Sequence, residues 1–198
     1  MPLFSRKPQR STHAVTIHFA QPMSPHVRHA QEDGIVGTLL PQLDASAVID
    51  GGGTELSAEG EPVAADIELT VTAVDIDRAI IELLGVLESN GIARGSWVAV
   101  DGRKHPVGST EYVLLRTHLH SAASEDLTGV TIALQAALGS GAIGWHDETY
   151  AGATGPVFVF SGSSAESILA ALRPTLPLHS SLGAAELASV TAGAAESK

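Results

Sequence analysis

A strand that alternates apolar and polar residues, followed at once by a capped amphipathic helix, occurs twice along this chain and limits its folds more than any other feature. The first instance is Val63–Thr72, where Ile67, Leu69 and Val71 face one way and Asp66, Glu68, Thr70 and Thr72 the other. Asp75 then caps a helix with Ile76, Ile80, Leu83, Leu84 and Leu87 on one stripe, and Asn90-Gly91 ends it. The second instance is Val157–Phe160, with Ser163 as cap, Glu166 three residues on as in a capping box, and Ile168, Leu169 and Leu172 as the stripe, ended by Pro174. Laying Val159 on Val71 and Ser163 on Asp75 also brings Leu169 onto Ile81 and Leu172 onto Leu84.

The flanking segments complete two units. In the first, Thr12–Phe19 reads as a strand and Ser24-Pro25 as a helix start. The helix after it is short or broken by Gly34, Gly37 and Pro41. Ala47–Asp50 is a short strand closed by Gly51-Gly52-Gly53 as a turn or bulge, and Ser96–Val100 closes the unit. In the second, Tyr112–Leu119 and Ala142–Thr149 are strands around a helix at Ser124–Leu138, and Ala184–Val190 reads as a last strand or a helix. The order is β-α-β-β-α-β twice, which predicts an α+β protein of two ferredoxin-like units related by internal duplication. The expected divisions are a flexible basic leader at 1–11, unit 1 at 12–101, a linker at 102–110, unit 2 at 111–191 and a tail at 192–198.

Composition supports a packed core built from small aliphatic residues. Hydrophobic residues make up 44% of the 198, but aromatics only 4%, so Val, Ile, Leu and Ala must fill the interior. The absence of cysteine rules out disulfides, thiolate metal ligands and cysteine nucleophiles. The first residues carry no apolar run of signal-peptide length, and no stretch approaches the roughly 20 apolar residues of a membrane span, so a cytoplasmic location is expected. The formal net charge is −11, and three of the 11 cationic residues fall within the first ten. The resulting field repels nucleic acid and attracts a basic partner.

A ferredoxin-like sheet has helices on one face and leaves the other open. In unit 1 the open face should carry Thr16, His18, Asp66, Glu68, Thr70 and Trp97, with His18 close to Asp66 or Glu68 because the first and third strands are neighbours. In unit 2 both faces are apolar: Tyr112, Leu114, Phe158 and Phe160 are expected on one, Val113, Leu115, Val157 and Val159 on the other. Strands apolar on both faces are normally covered on both, so the outer face should be buried against unit 1 or a second copy of the chain.

Motifs for chemistry are sparse. Gly139-x-Gly141-x-x-Gly144 follows a helix and leads into a strand, the reverse of a dinucleotide-binding turn, and reads as a helix C-cap. His118 and His120, His26 and His29 with Glu32, and His146-Asp147-Glu148 are possible metal ligands, but none supplies three in one segment. No serine lies in G-x-S-x-G or S-x-x-K. Glu55, Glu59 and Glu61 fall in a hairpin loop, where solvation explains their charge. Neither a cofactor nor a metal is expected.

The stretches Asp50-Gly51-Gly52-Gly53-Thr54-Glu55-Leu56 and Asp66-Ile67-Glu68-Leu69, then the Asp75–Asn90 helix and Gly91–Ser96, resemble a family of small uncharacterised bacterial proteins with a tandem ferredoxin-like build. Their pattern runs G-G-G-T, D-I-E-hydrophobic, helix, G-A-P-K-G-S. Ile92-Ala93-Arg94 departs from the A-P-K portion, while Glu32-Asp33 and Ser161–Thr175 also look similar. The resemblance spans most of residues 12–190 and implies the fold. It transfers no catalytic residue, and some members have an immunity-protein or accessory character.

Three functions follow as expectations. The first is a non-enzymatic protein-binding module, immunity-like or accessory, that takes a basic protein partner on Asp50, Thr54, Glu55, Asp66 and Glu68. The second is a small-molecule or metal-dependent enzyme with a cleft between the units lined by His18, Arg116, His118 and His146. The third is a structural homo-oligomer formed through the second sheet.

Overall fold

The computed structural model describes residues 9–118, 127–179, 182 and 184–190. Two antiparallel sheets carry the fold. The first has strand order β2-β3-β1-β4-β5 and the second β7-β8-β6-β9. In chain order, unit 1 is β1 (Ser11–Phe19), α1 (Pro25–Gly34), α2 (Leu40–Gln42), β2 (Ala45–Leu56), β3 (Pro62–Ala73), α3 (Ile76–Ser89), β4 (Ser96–Val100) and β5 (Arg103–Val107). Unit 2 is β6 (Glu111–Arg116), α4 (Leu127–Ala137), β7 (Trp145–Ala151), β8 (Pro156–Gly162), α5 (Ala165–Leu172) and β9 (Glu186–Val190). Both units therefore place their third strand beside their first and their second strand at an edge, so the protein is α+β with two antiparallel sheets. No helix among the described residues is long and apolar enough to cross a membrane.

Local chemistry explains most element ends. Ser24 accepts from the Val27 amide, and Pro25 opens α1. Pro41 has no amide to donate back to Gly37, and the chain widens into a π-helical turn over Ile35–Leu39 before the three residues of α2. Asp75 caps α3 by accepting from the Arg78 amide. In unit 2 the cap of α5 is Ser164, which accepts from Ser167, and not Ser163 as the sequence reading has it. That one-residue difference moves the correspondence between the units. Ser164 now matches Asp75, and Phe158 and Phe160 match the core residues Leu69 and Val71.

Three further expectations change. The segment read as a linker at 102–110 holds β5, which pairs with β4 from Ser96↔Val107 to Val100↔Arg103 through the tight turn at Asp101-Gly102. The triple glycine does not end β2 but lies within it, with a bulge between Ile49 and Gly51. Gly52 has φ 131°, where a Cβ would collide with the Asp66 carbonyl oxygen. Lastly, the cross-strand pairs Val113↔Phe160 and Leu115↔Phe158 set these four residues on the helix-covered face, whereas Tyr112, Leu114, Val157 and Val159 share the other. The sequence pattern alone pairs the faces of β6 and β8 one residue out of this register. Ala184–Val190 resolves as strand β9 over its last five residues.

Each unit has its own core beneath its helices. Val15, Ile17, Phe19, Ile67, Leu69, Ile80 and Leu83 belong to the first, and Leu115, Leu134, Phe158, Phe160, Ile168 and Leu172 to the second. A third apolar cluster joins them: Ala93 of unit 1 packs with Tyr112, Leu114, Val157 and Val159. The outer face of the second sheet is thus covered within the chain, as its two-sided apolar strands require. Of the two coverings expected for it, unit 1 or a second copy of the chain, unit 1 supplies Ala93 to this cluster.

Candidate functional site

Three strand-end segments of unit 1 converge on the outer face of the second sheet. Polar groups fix the approach. Arg116 on β6 donates from Nε and Nη2 to Glu61 at 2.8–3.0 Å, with the glutamate side chain 10% exposed. Glu148 Oε1 accepts from the Ser24 amide at 3.0 Å, and the Tyr112 hydroxyl donates to the Gly91 carbonyl at 3.1 Å. Arg94 pairs with Glu111 at 3.0 Å. The Glu61 hydrogen bond, more than any other influence, holds the Arg116 guanidinium above its ordinary pKa. Glu61 is therefore a buried partner in the interface between the units. The sequence reading, which took it as a solvated loop charge, could not see a partner 55 residues away.

Beside this ion pair a cleft of about 440 Å³ opens between the units. Leu56, Pro62, Val63, Leu114 and Val190 give it an apolar wall, and His18, Glu55, Glu59 and the Glu61–Arg116 pair give it a polar rim. Tyr150, next to Val157, has a buried hydroxyl with no hydrogen-bond partner among the described residues. Burial first, and then the Glu61 carboxylate, raise its pKa above the ordinary tyrosine value.

Of the four histidine and arginine positions expected to converge in a cleft, two do. His18 and Arg116 line it. His118 is exposed beyond the end of β6. His146 lies on the opposite side of the sheet, with its ring 5.6 Å from that of Phe160 and 6.0 Å from that of Phe158. It fails to converge because β7 presents it to the helix-covered face, where burial lowers its pKa.

The acidic group on β2 and β3 is more coherent. Asp66 Oδ1 accepts from His18 Nδ1 at 2.8 Å, the neighbour relation expected from the topology. A row then crosses the open sheet face: His18 stacks on Trp97 with ring centroids 5.0 Å apart, and Lys104 Nζ lies 3.9 Å from the Trp97 ring centroid. Asp50 accepts from the Thr70 hydroxyl at 2.6 Å. The Glu68 carboxylate lies over Gly51, where a Cβ would stand 2.8 Å from Oε2. Glu55 is exposed on the same strand and reaches the cleft. Thr54 departs from the expected set. Opposite the fully buried Ala65 it turns toward the helix side because the bulge at Asp50 resets the alternation, and its hydroxyl is buried with no partner among the described residues.

Metal ligation gains no support from geometry. Glu32 is buried and bonded to Arg28, and no three histidine, aspartate or glutamate side chains come together as a metal site among the described residues. The His118/His120 pair falls partly outside those residues. A different cluster escaped the sequence reading. Ser11, His13 and Asp101 are hydrogen-bonded in series at the start of β1 and the β4–β5 turn. The local signal was the i, i+2 spacing of Ser11 and His13 on one strand face.

No family model matches the chain, and no curated relative matches it. Three solved structures show a weak likeness. An unknown protein from Galdieria sulphuraria is 12% identical, with 92% of this chain and 98% of that one covered, at a TM-score of 0.27. The regulatory subunit of aspartate kinase from Thermus flavus is 12% identical over 83% and 95%, at 0.26. A mutant chlorite dismutase from Candidatus Nitrospira defluvii is 11% identical over 92% of each chain, at 0.27. At these scores the likenesses carry no argument about fold or function, which rest on the topology and side-chain geometry described above.

Proposed function

We propose that the chain is a protein-binding module whose open β2–β3 face takes a basic partner without chemistry at that face. One observation carries the reading. Asp50, Glu55, Asp66 and Glu68 sit on two adjacent strands of a sheet face that no helix covers, and Asp50, Glu55 and Glu68 form no ion pair among the described residues. The glycines of β2 keep that face low, so a partner backbone can approach the carboxylates. The cleft at its end, with apolar walls and Glu55 and Glu59 at the rim, suits an aliphatic cationic side chain of the partner.

The shared strand order and the matched caps Asp75 and Ser164 support descent of the two units from one duplicated ferredoxin-like ancestor. The resemblance to tandem ferredoxin-like bacterial proteins agrees with an immunity-like or accessory role, and a cytoplasmic setting goes with it. A second reading rests on the cleft volume, which lies within the range of small-ligand sites and brings His18 and Arg116 to one space.

Co-purification from the native cell at low salt tests the first reading, with the triple variant Asp50→Asn/Glu55→Gln/Glu68→Gln in parallel. A basic protein held by the natural chain, released by salt and lost by the variant supports it. A partner indifferent to both, or no partner at all, overturns it.

A further inference from the structure

We propose that Ser11, His13 and Asp101 form an acyl-transfer centre that hydrolyses esters with an apolar acyl group, an activity separate from the binding face. The three side chains make the bonds that nucleophilic catalysis needs. Ser11 Oγ lies 2.8 Å from His13 Nε2, and His13 Nδ1 lies 2.7 Å from Asp101 Oδ2. Asp101 is itself held in place: its other oxygen accepts from the Ala14 amide at 3.0 Å, and its own amide donates to the Ala14 carbonyl at 2.8 Å. Its backbone is left-handed, with φ 48°, in the tight turn that swings the carboxylate back onto β1. The His13 bond first, and the Ala14 amide second, keep that carboxyl below its ordinary pKa. In the neutral tautomer that carries its proton on Nδ1, His13 donates to the Asp101 carboxylate, and its Nε2 then accepts from the Ser11 hydroxyl. The direction of both bonds is that of a general base poised on a serine, an arrangement recognised by geometry and not by chain position.

A groove of about 540 Å³ is lined by His13 and Asp101 of this cluster, and Ser11 stands behind its wall, bonded to His13 Nε2. His13, Asp77, Asp101, Arg103 and His105 form its polar side, and Ile80, Ile81 and Leu84 of α3 its apolar side. Ile81 is 68% exposed, a large aliphatic side chain left open on the outer surface of its helix. An acyl chain lying on α3 would bring its carbonyl to the polar side, with the Arg103 guanidinium available to the oxyanion.

Ser11 Oγ bonds to the ester carbonyl carbon as its proton passes to His13 Nε2. The tetrahedral intermediate then breaks its bond to the alkoxide, which leaves with that proton. Water attacks the acyl-serine through the same base, releases the carboxylic acid and restores the serine.

The full chain is incubated with p-nitrophenyl butyrate, and separately with a fluorophosphonate probe followed by peptide mass spectrometry. Expected results are release of p-nitrophenolate and labelling of Ser11. Ser11→Ala and His13→Ala should each lower kcat/KM at least tenfold. Asp101→Asn, which tolerates the left-handed turn, should lower kcat at least tenfold with KM little changed. Hydrolysis that persists in Ser11→Ala, or a natural chain that neither hydrolyses the ester nor takes the probe at Ser11, overturns the proposal. Retention of the basic partner is expected to be the same in Ser11→Ala as in the natural chain, so the two readings fail independently.

Discussion

The outer faces of the two sheets have the same topology and opposite fates. On the first sheet Asp66, His18, Trp97 and Lys104 form a polar row, and Thr16, Glu68 and Thr70 surround it. On the second, the equivalent surface is Tyr112, Leu114, Val157 and Val159, all buried. The first face can stand in water and so stays available to another molecule. The second cannot, and the strand ends of unit 1 cover it. Side-chain polarity on alternate strand positions, and not the arrangement of strands, thus decides which sheet docks and which is offered outward.

This contrast can be broken experimentally, most severely at the covered face. Val159→Asp puts an unpaired carboxylate into a fully buried site and should cost on the order of 4 kcal/mol in urea unfolding. Thr70→Asp on the open face should cost less than about 1 kcal/mol. Equal losses would contradict the assignment of the two faces. The ion pair that joins the units comes next. Arg116→Ala leaves Glu61 buried without its partner and should cost about 2–3 kcal/mol, a value reduced from the fully buried case because the arginine is 30% exposed. Arg116→Leu combined with Glu61→Leu should recover most of that loss in the same measurement.

The helix caps sharpen the likeness between units. Asp75→Ala and Ser164→Ala should each cost about 1 kcal/mol, since each removes one side-chain bond to a first-turn amide. Unequal losses would show that the units lean on their third-strand helices differently. The smallest expected effect is on pH dependence. Burial lowers the folded-state pKa of His146 below that of an unfolded chain, so the unfolded state binds the proton more readily as pH falls. His146 therefore contributes stability that is intact above the ordinary histidine pKa and declines as the solution is acidified through it. Denaturant titrations across that range should flatten in His146→Phe.

Much of the fold was legible because it is written in short windows. The alternation in Val63–Thr72, the caps Ser24 and Asp75 and the open-face set His18, Asp66 and Trp97 each depend on neighbours within a turn or a strand. The contact of His18 with Asp66 followed once the first and third strands were taken as neighbours. The site was less legible. The chain itself signals nothing of Glu61 and Arg116 meeting at an interface, or of Asp101 folding back onto His13.

What the sequence alone determined, then, is most of the strands and helices, the caps Ser24 and Asp75, and that one sheet must be hidden while the other tolerates water. Tertiary structure decided the register that sorts Phe158 from Val159, the recruitment of Arg103–Val107 as a fifth strand, the turning of Thr54 inward after a bulge, and the meeting of Ser11, His13 and Asp101. The physical reason is one of range. Periodicity and capping are energies of adjacent residues, whereas register and side-chain convergence depend on contacts between segments that come together only when the chain closes on itself.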